Sequence, residues 1–280
     1  MAITTTVITG ATSGIGEATA FALAQKDHSL YLLVRNLQKG GELKERLIKE
    51  TGNKNINIVY CDLTDLATVV AAATELKSKL FNIQVLINNA GGMFNDFKLT
   101  KDGFETTFQL NHLGHFLLTQ CLMPLLEKGQ ARIINVSSDL HKSGKPDFEH
   151  INDPQKYSAT KAYGNSKLFN IYFAKSLAER YANKGITAFA LHPGVVKTNF
   201  TAGLSGLLKV FFLLATPFMI SAEKGALTPV YLATAPKLQS KSGSYFVKQK
   251  PVKPAKVVGD EAARNKLWEL SEKLVAKFNM

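Results

Sequence analysis

The ten residues Val7-Ile8-Thr9-Gly10-Ala11-Thr12-Ser13-Gly14-Ile15-Gly16 join two contrasting segments of the chain. Before the first glycine, Thr4 to Ile8 is a short apolar run that is typical of a buried strand. After the last one, Glu17 to Gln25 has the composition of a helix. A strand, a glycine turn and a helix N-terminus in this order form an anion-binding site, because the free N–H groups and the dipole of the first helical turn attract phosphate.

Each glycine of this stretch has a use in such a site. Gly10 permits the sharp turn, Gly14 lets the backbone approach a pyrophosphate, and Gly16 lets the helix pack close to the strand. The spacing is GxxxGxG rather than the common dinucleotide pattern GxGxxG. A glycine-rich hairpin or turn without a ligand is the alternative interpretation.

Composition narrows the class of protein. The net charge is +12, with a denser basic stretch from Lys237 to Lys256. No basic motif interleaved with aromatic residues indicates nucleic-acid binding, so a solvated basic surface or attraction to an anionic membrane or a phosphorylated cofactor accounts for the charge. Cys61 and Cys121 lack metal-ligand spacing and are expected to be reduced thiols. Because Met1 leads directly into the first strand without a signal peptide, we expect a cytoplasmic location.

Strand-like and helix-like runs alternate along the whole chain. This alternation predicts an α/β fold: one Rossmann-type, doubly wound parallel sheet of about seven strands with helices on both faces, in a single NADP-binding domain spanning 1–280. The predicted strands are Thr4–Ile8, Ser29–Val34, Ile56–Tyr60, Val85–Ile87, Arg132–Val136, Thr187–Leu191 and Tyr245–Val247. The predicted helices are Glu17–Gln25, Glu42–Glu50, Leu66–Leu80, Phe104–Leu126, Ser158–Asn183, Glu223–Ala235 and Asp260–Phe278.

The residues after the second predicted strand bear on the choice of coenzyme. A site that prefers NAD places an acid here for the ribose 2′-hydroxyl, whereas this chain has Arg35 and Asn36 and no acid before Glu42. Arg35, with Lys39, can instead pair with a 2′-phosphate, because a guanidinium matches phosphate oxygens. This favours NADP(H). A surface arginine at a strand end is the alternative.

Polar residues also follow or interrupt other predicted elements. Asp62 can accept a hydrogen bond from an adenine amino group, and Thr64 or Asp65 is expected to cap the helix that follows. The run Asn88-Asn89-Ala90-Gly91-Gly92 suits a tight turn at the sheet edge where ligands bind. His112 and His115 lie three residues apart, but no third ligand is nearby, so we predict no metal site.

Two Tyr-x-x-x-Lys pairs occur close together, Tyr157 with Lys161 and Tyr163 with Lys167. Residues four apart share a helix face, but the two pairs are offset by six residues and point in different directions. An ammonium beside a phenol lowers the pKa of the phenol, which can then act as a general acid or base near neutral pH. We choose the second pair, because Tyr157 falls at the predicted junction of loop and helix and Tyr163 falls inside the helix.

The motifs taken together resemble the short-chain dehydrogenase/reductase family over nearly the whole chain. The matching features, in family order at strand ends, are Thr9 to Gly16, Asn88-Asn89-Ala90-Gly91, Asn111, Ser138, Tyr163 to Lys167 and Pro193-Gly194. The runs Val136 to His141, Ala162 to Leu168 and His192 to Thr198 are similar to the retinol-dehydrogenase-like branch.

This resemblance implies catalytic roles for four residues. Tyr163 donates a proton to the substrate oxygen while NADPH delivers hydride, and Lys167 holds the nicotinamide ribose and lowers the pKa of the tyrosine. Ser138 hydrogen-bonds the substrate carbonyl, and it is preferred over Ser137 because the family's serine is the second of the pair. Asn111 holds a water that passes protons to Lys167.

The resemblance also implies a set of coenzyme contacts. Gly10, Gly14 and Gly16, with Ser13 and Ile15, line the pyrophosphate, and Asp62 and Leu63 meet the adenine. Asn89 either contacts the ribose on the adenosine side or braces the sheet. The remaining expected contacts are Ala90, Gly91, Pro193 and Gly194, with Val196 and Thr198 at the nicotinamide carboxamide.

The most apolar part of the chain, Leu204 to Ile220, lies in the region 200–222. Lys209 and Pro217 interrupt it, so it is too short for a transmembrane helix. We interpret this region as an apolar flap over the substrate; an interfacial helix resting on lipid, giving peripheral membrane contact, and a plain core helix are the alternatives. With Phe94, Phe97 and Phe200, such a flap favours a lipophilic carbonyl or alcohol as substrate.

The predicted function is therefore an NADP(H)-dependent oxidoreductase that acts on a lipophilic aldehyde, ketone or alcohol. A catalytically silent cofactor sensor or membrane-associated regulator of the same fold is the alternative, but such a protein is expected to lose the tyrosine or the lysine. Subunits of the family often pair through helices that correspond here to Phe104–Leu126 and Ser158–Asn183, so a homodimer is a further expectation.

Overall fold

The computed structural model describes residues 3–196 and 219–278, and within these ranges strands and helices alternate as predicted. The strands are β1 (Thr5–Thr9), β2 (Ser29–Val34), β3 (Ile56–Tyr60), β4 (Val85–Asn88), β5 (Arg132–Val136), β6 (Thr187–His192), β7 (Tyr245–Val247) and β8 (Lys250–Val252). The helices are α1 (Gly14–Ala24), α2 (Leu37–Thr51), α3 (Leu66–Lys79), α4 (Thr106–Phe108), α5 (Gly114–Lys128), α6 (Ala159–Arg180), α7 (Ala222–Thr234) and α8 (Glu261–Val275).

The strands form one sheet in the order β3-β2-β1-β4-β5-β6-β7-β8. Strands β1 to β7 pair in parallel, which confirms the predicted doubly wound sheet, and β8 pairs antiparallel to β7. The sheet thus has eight strands rather than about seven. The prediction missed β8 because Lys250–Val252 is exposed throughout and holds Pro251, which is tolerated at a sheet edge but gives no apolar pattern.

Side chains alternate between the two faces of the sheet and enter two separate cores. Val7 and Leu86 belong to the core beneath α3, α5 and α6. Their neighbours Ile8 and Ile87 belong to the core beneath α1, α2 and α7. Because parallel strands are covered by helices on both faces, they are apolar along their whole length, which is why the sequence located them well.

The chain reverses its direction of winding at β1, which lies between β2 and β4. At such a switch point the connections leave the carboxyl ends of neighbouring strands in opposite directions and open a crevice there. The turn after Thr9 and the turn after Asn88 border this crevice. The fold therefore brings the glycine stretch and the Asn-Asn-Ala-Gly stretch to one place.

The single helix predicted over Phe104–Leu126 is interrupted. A π-helical turn, Gln109–Leu113, separates α4 from α5, and the N–H of Gly114 bonds to the carbonyl of Gln109 five residues earlier. The helix continues past Pro124 and ends at Lys128, two residues beyond the predicted end at Leu126. The inserted residue changes the direction of the helix face at Asn111, and such π-helical insertions are frequent at functional sites.

Helix α8 packs across α5 and α6. The ring of Trp268 lies 5.1 Å from that of Phe116 and 6.0 Å from that of Phe173, between ring centroids. An ion pair of 2.7 Å joins Arg264 to Glu179 on α6. Helix α8 of the same chain therefore covers part of the helical face through which we expected two subunits to pair. Within the described ranges, none of the helices combines the length and the hydropathy needed to cross a bilayer.

Candidate active site

The turn between β1 and α1 is built for close backbone contact. Gly10 has a φ of +66°, and a Cβ there would lie 2.8 Å from the Cα of Ala90. A Cβ at Gly16 would lie 2.2 Å from the carbonyl oxygen of Gly10. Ser13 is the N-cap residue of α1, yet its side chain does not cap the helix. The first N–H groups of α1 therefore remain open to an anion.

Thr9 and Asn89 connect the two turns that border the crevice. The side-chain amide of Asn89 donates to the carbonyls of Thr9, at 2.9 Å, and Gly10, at 3.1 Å. The hydroxyl of Thr9 accepts from the backbone N–H groups of Asn89 and Ala90, both at 3.0 Å. Of the two roles considered for Asn89, the structure shows the brace of the sheet.

The residues after β2 lie at the surface. Arg35 and Lys39 are exposed. The side chain of Asn36 caps α2 by accepting from the backbone N–H of Lys39 at 2.9 Å. The cap holds the start of α2, which carries Lys39, directly after the end of β2.

The next strand end carries Asp62 and Leu63. Asp62 is partly buried, and its Oδ1 accepts from the N–H and the hydroxyl of Thr64 at 2.9 and 2.7 Å. Leu63 is buried, and its carbonyl lies against Gly114. Asp65 caps α3 by accepting from two backbone N–H groups, which confirms the predicted cap.

Tyr163, Lys167 and Ser138 meet at the carboxyl end of β5. The side chains of Tyr163 and Ser138 are hydrogen-bonded. The Nζ of Lys167 lies 5.4 Å from the ring centroid of Tyr163 and donates to the carbonyl of Val136 at 3.1 Å. Ser137, the alternative serine, is buried and donates to the carbonyl of Lys167 at 2.7 Å. The structure thus places Ser138 in the cluster and uses Ser137 to fasten α6.

Burial governs the ionisation of this cluster. It raises the pKa of Tyr163 above its usual range, and the hydrogen bond with Ser138 offsets this only in part. It also lowers the pKa of Lys167 to about 8. The net shift of the tyrosine pKa is therefore upward, because desolvation of the phenolate is its largest cause. That the lysine lowers this pKa stays a prediction. The buried phenol holds its proton.

Asn111 reaches the same cluster from the π-helical turn. Its side-chain amide donates to the carbonyl of Gly92 at 3.0 Å and to the hydroxyl of Ser166 at 2.9 Å. A Cβ at Gly91 would lie 3.1 Å from both the Oδ1 of Asn111 and the Nζ of Lys167. Glycine therefore leaves a small polar space between the amide and the ammonium.

The other Tyr-x-x-x-Lys pair lies outside this cluster. Tyr157 precedes α6, as predicted, and its hydroxyl donates to the carbonyl of Phe94 at 2.6 Å. The ring of Phe97 packs edge-on against it at 5.6 Å. Lys161 forms an ion pair with Asp147 at 3.0 Å. Tyr157 and Lys161 therefore hold the loops around the site. Among the described contacts, neither side chain touches those of Ser138, Tyr163 or Lys167.

The loop after β6 forms another wall of the crevice. Pro193 and Gly194 follow β6, and the φ of Gly194 is +100°. Val196 pairs with Ile220 in an isolated bridge. A Cβ at Gly225 would touch both Val196 and Ile15, so the loop after β6 lies close to the glycine turn. Thr198 and most of the flap 200–222 lie outside the described residues.

Sequence reasoning missed several contacts of the site. Ser166 and His115 bond to Asn111, through its side chain and its carbonyl respectively. His192 accepts from the N–H of Asp139, beside Ser138, at 3.2 Å. The four-residue spacing of Asn111 and His115 was a signal for the second of these contacts. The others join segments far apart in the chain and left no local trace.

Comparison with known proteins identifies the family of this chain. The family model described as short chain dehydrogenase matches residues 4–206. Retinol dehydrogenase 12 of Mus musculus is 38% identical over 96% of this chain and 85% of its own length. Retinol dehydrogenase 13 of Homo sapiens is 37% identical over 97% of this chain and 84% of its own length.

A solved structure extends the likeness to three dimensions. The crystal structure of an uncharacterized protein from Mycobacterium paratuberculosis is 32% identical, with a TM-score of 0.78 over 98% of this chain and 93% of that one. Fold and sequence agree. This chain belongs to the short-chain dehydrogenase family, is similar to its retinol dehydrogenases, and is an oxidoreductase that acts on alcohol or carbonyl groups.

Proposed function

We propose that the protein transfers hydride between NADPH and a lipophilic aldehyde or ketone, or the corresponding alcohol, with Tyr163 as general acid and base. The observation that carries this proposal is the cluster of the buried side chains of Tyr163 and Lys167 with the partly buried Ser138. It lies at the sheet edge that also carries the open N-terminus of α1.

The residues divide the chemistry among them. The bound coenzyme supplies the hydride. Tyr163, whose buried phenol is protonated, donates its proton to the substrate oxygen, and Ser138 donates a hydrogen bond to the same oxygen. The ammonium of Lys167 stabilises the resulting phenolate. Asn111 holds a water in the space beside Gly91, through which protons return to Lys167 and Tyr163.

The crevice fits a dinucleotide. The uncapped N-terminus of α1 suits a pyrophosphate, with Ser13, Gly14, Ile15 and Gly16 around it. Asp62 and Leu63 at the end of β3 would hold the adenine, and Lys167 would hold the nicotinamide ribose. Val196, Pro193 and Gly194 would border the nicotinamide, with Thr198 beyond them.

The proposed preference for NADP over NAD rests on Arg35 and Lys39. Both cations are exposed and follow β2, the neighbour of β1 in the sheet, and the cap by Asn36 fixes the helix that carries Lys39. A charge-assisted bond to a 2′-phosphate contributes about 1.5–3 kcal/mol. We therefore expect Arg35→Ala to lower kcat/KM for NADPH about tenfold to a hundredfold and to leave the value for NADH unchanged.

A matched variant controls this experiment. Arg46→Ala also removes an arginine of α2, one that pairs with Glu17. We expect its kcat/KM for NADPH and its kcat/KM for NADH each to equal the value of the parent protein. An equal loss with NADPH and NADH in Arg35→Ala would contradict the assignment of Arg35 to the phosphate.

The proposed lipophilic substrate rests on Phe94, Phe97 and the similarity to retinol dehydrogenases. The apolar flap 200–222 would cover such a substrate. Peripheral membrane contact through this flap and a homodimer belong to the same proposal. Flotation with liposomes tests the first, and sedimentation at several protein concentrations tests the second.

Consumption of NADPH with a panel of hydrophobic aldehydes and ketones tests the function itself. We expect turnover that rises with the apolar surface of the carbonyl compound. A protein that binds NADPH tightly but turns over no member of the panel, in either direction, would instead be the silent cofactor sensor considered above.

A further inference from the structure

One buried histidine joins the two halves of the site and has no place in the chemistry proposed above. His115 lies at the start of α5, 2% exposed. Its Nε2 lies 2.8 Å from the hydroxyl of Thr9, and its Nδ1 lies 3.1 Å from the carbonyl oxygen of Asn111. The ring therefore spans from the end of β1 to the π-helical turn.

The hydrogen bonds fix the position of the ring proton. A threonine hydroxyl has one hydrogen and two lone pairs. Two backbone N–H groups, those of Asn89 and Ala90, already donate to the oxygen of Thr9. The hydroxyl must then donate its own hydrogen, and the Nε2 of His115 at 2.8 Å is a closer acceptor than the carbonyl of Ile87 at 3.5 Å.

The other side of the ring leads to the same protonation state. A backbone carbonyl only accepts hydrogen bonds, so the Nδ1 that faces Asn111 must carry a hydrogen. A doubly protonated ring would direct its Nε2–H at an oxygen whose lone pairs are both used. Burial, aided by the charge of Lys167, lowers the pKa of His115 to about 4, which agrees with a neutral ring.

We propose that His115 is a positioning residue, whose neutral ring, protonated on Nδ1, fixes the backbone of Asn111 relative to the end of β1. The π-helical turn interrupts the regular α-helical hydrogen bonds at Asn111. The Nδ1–H of His115 supplies a fixed donor to the carbonyl of Asn111. The side-chain amide of Asn111 then stays between Gly92 and Ser166, facing the space beside Lys167. The effect on turnover rests on the proposed function, whereas the protonation state does not.

Nitrogen NMR of the imidazole rings tests the protonation state directly. In uniformly ¹⁵N-labelled protein, the His115 signals, assigned by their loss in His115→Asn, should show protonated Nδ1 and unprotonated Nε2. They should not titrate between about pH 5 and pH 8, because the pKa is about 4. A proton on Nε2, or titration within this range, would overturn the proposal whether or not the protein turns over a substrate.

Kinetics of two His115 variants test the consequence for turnover. His115→Leu should lower kcat about tenfold to a hundredfold, the loss typical of a slightly misplaced site, with the Kd for NADPH nearly unchanged. His115→Asn should recover most of kcat, because its amide can donate where Nδ1–H does. A structural role alone would lower the melting temperature of both variants and spare kcat per folded molecule.

His28 provides the matched control. It is also buried, and its Nδ1 lies 2.8 Å from the hydroxyl of Thr6 on the same strand β1, away from the crevice. We expect His28→Leu to lower the melting temperature and to leave kcat unchanged. Equal losses of kcat in His28→Leu and His115→Leu, or a full kcat in His115→Leu, would overturn the proposal.

Discussion

Tyr157 and Tyr163 lie six residues apart, and each is followed four residues later by a lysine, yet they meet different surroundings. Tyr163 is 8% exposed and bonded to Ser138, with a fully enclosed Lys167 beside it. Tyr157 stands before the helix, bonded to the carbonyl of Phe94, and the side chain of Lys161 is 41% exposed. The Tyr-x-x-x-Lys motif alone therefore does not define an active site. The residues that surround it at the carboxyl end of the sheet distinguish the two pairs.

The same difference appears in the charges. The Nζ of Lys167 faces a backbone carbonyl and the face of a ring, with no carboxylate among its described contacts. Lys161 faces Asp147. Desolvation, the largest single effect, raises the pKa of Asp147, but the hydrogen bonds and charges of His150 and Lys161 together lower it to about 2. An ammonium kept free of carboxylates can serve a substrate and a phenolate, whereas a paired one holds a loop.

Removing the hydroxyl of each tyrosine in turn should give the largest difference in turnover between the two pairs. Tyr163→Phe removes the proposed acid, and we expect turnover to fall about a hundredfold to ten-thousandfold, with NADPH binding retained. Tyr157→Phe should stay close to wild-type turnover. Steady-state rates and fluorescence titration of NADPH measure both, and the reverse ranking would show that the catalytic pair is Tyr157 and Lys161.

The two lysines should differ in rate and also in stability. Lys167→Met should lower kcat about a hundredfold to a thousandfold, as the loss of a placed charge does. It should also raise the free energy of unfolding at pH 7, because a buried ammonium, with a pKa lowered to about 8, is costly. Lys161→Met should keep turnover and lose at most about 1 kcal/mol of stability.

The size of this stability effect decreases with pH. Below about pH 8 Lys167 is charged in both the folded and the unfolded protein, so the full cost of its burial is present. Between about pH 8 and its ordinary pKa of 10.5, the folded protein releases the proton first, and its stability rises. Urea unfolding at pH 7 and pH 10 should therefore show the advantage of Lys167→Met shrinking with pH; a constant advantage would contradict the cause given.

Activity should follow the same ionisation. We expect kcat/KM for NADPH to fall with an apparent pKa near 8, because Lys167 must be charged to hold the ribose and stabilise the phenolate. In Lys161→Met, kcat/KM for NADPH should fall with the same apparent pKa. A profile that stays flat well above pH 8 would mean that the lysine keeps its charge and that its burial is less complete.

Loss of the Tyr157 hydroxyl should have the smallest effect. Tyr157→Phe removes one hydrogen bond to the carbonyl of Phe94 and keeps the ring contact with Phe97. We expect a loss of about 1 kcal/mol in the free energy of unfolding. Thermal unfolding measures this loss. A stability equal to that of the parent protein would contradict the role of the Tyr157 hydroxyl in holding the loop.

Local spacing explains what the sequence could predict. The strands covered on both faces, the glycine turn and the pair Tyr163–Lys167 each leave a pattern within a few residues. Strand β8 left none, because it is short, exposed and interrupted by Pro251. The π-helical turn also left none, since Phe104–Leu126 reads as a continuous apolar helix.

Ionisation and long-range contacts needed the coordinates. Spacing put Lys167 beside Tyr163 but could not give the burial that raises the pKa of the phenol. The contacts of Asn111 with Ser166 and His115 with Thr9 join residues 55 and 106 positions apart. Such pairs depend on how elements pack, which a single sequence does not state.

A crystal structure of the complex with NADPH tests the central claim most directly. We expect the nicotinamide ribose within hydrogen-bond reach of the Nζ of Lys167, and the hydroxyls of Tyr163 and Ser138 facing the reactive end of the nicotinamide. Tyr157 should remain bonded to Phe94. A nicotinamide seated against Tyr157 and Lys161, or a Tyr163 hydroxyl turned away from the coenzyme, would contradict the account.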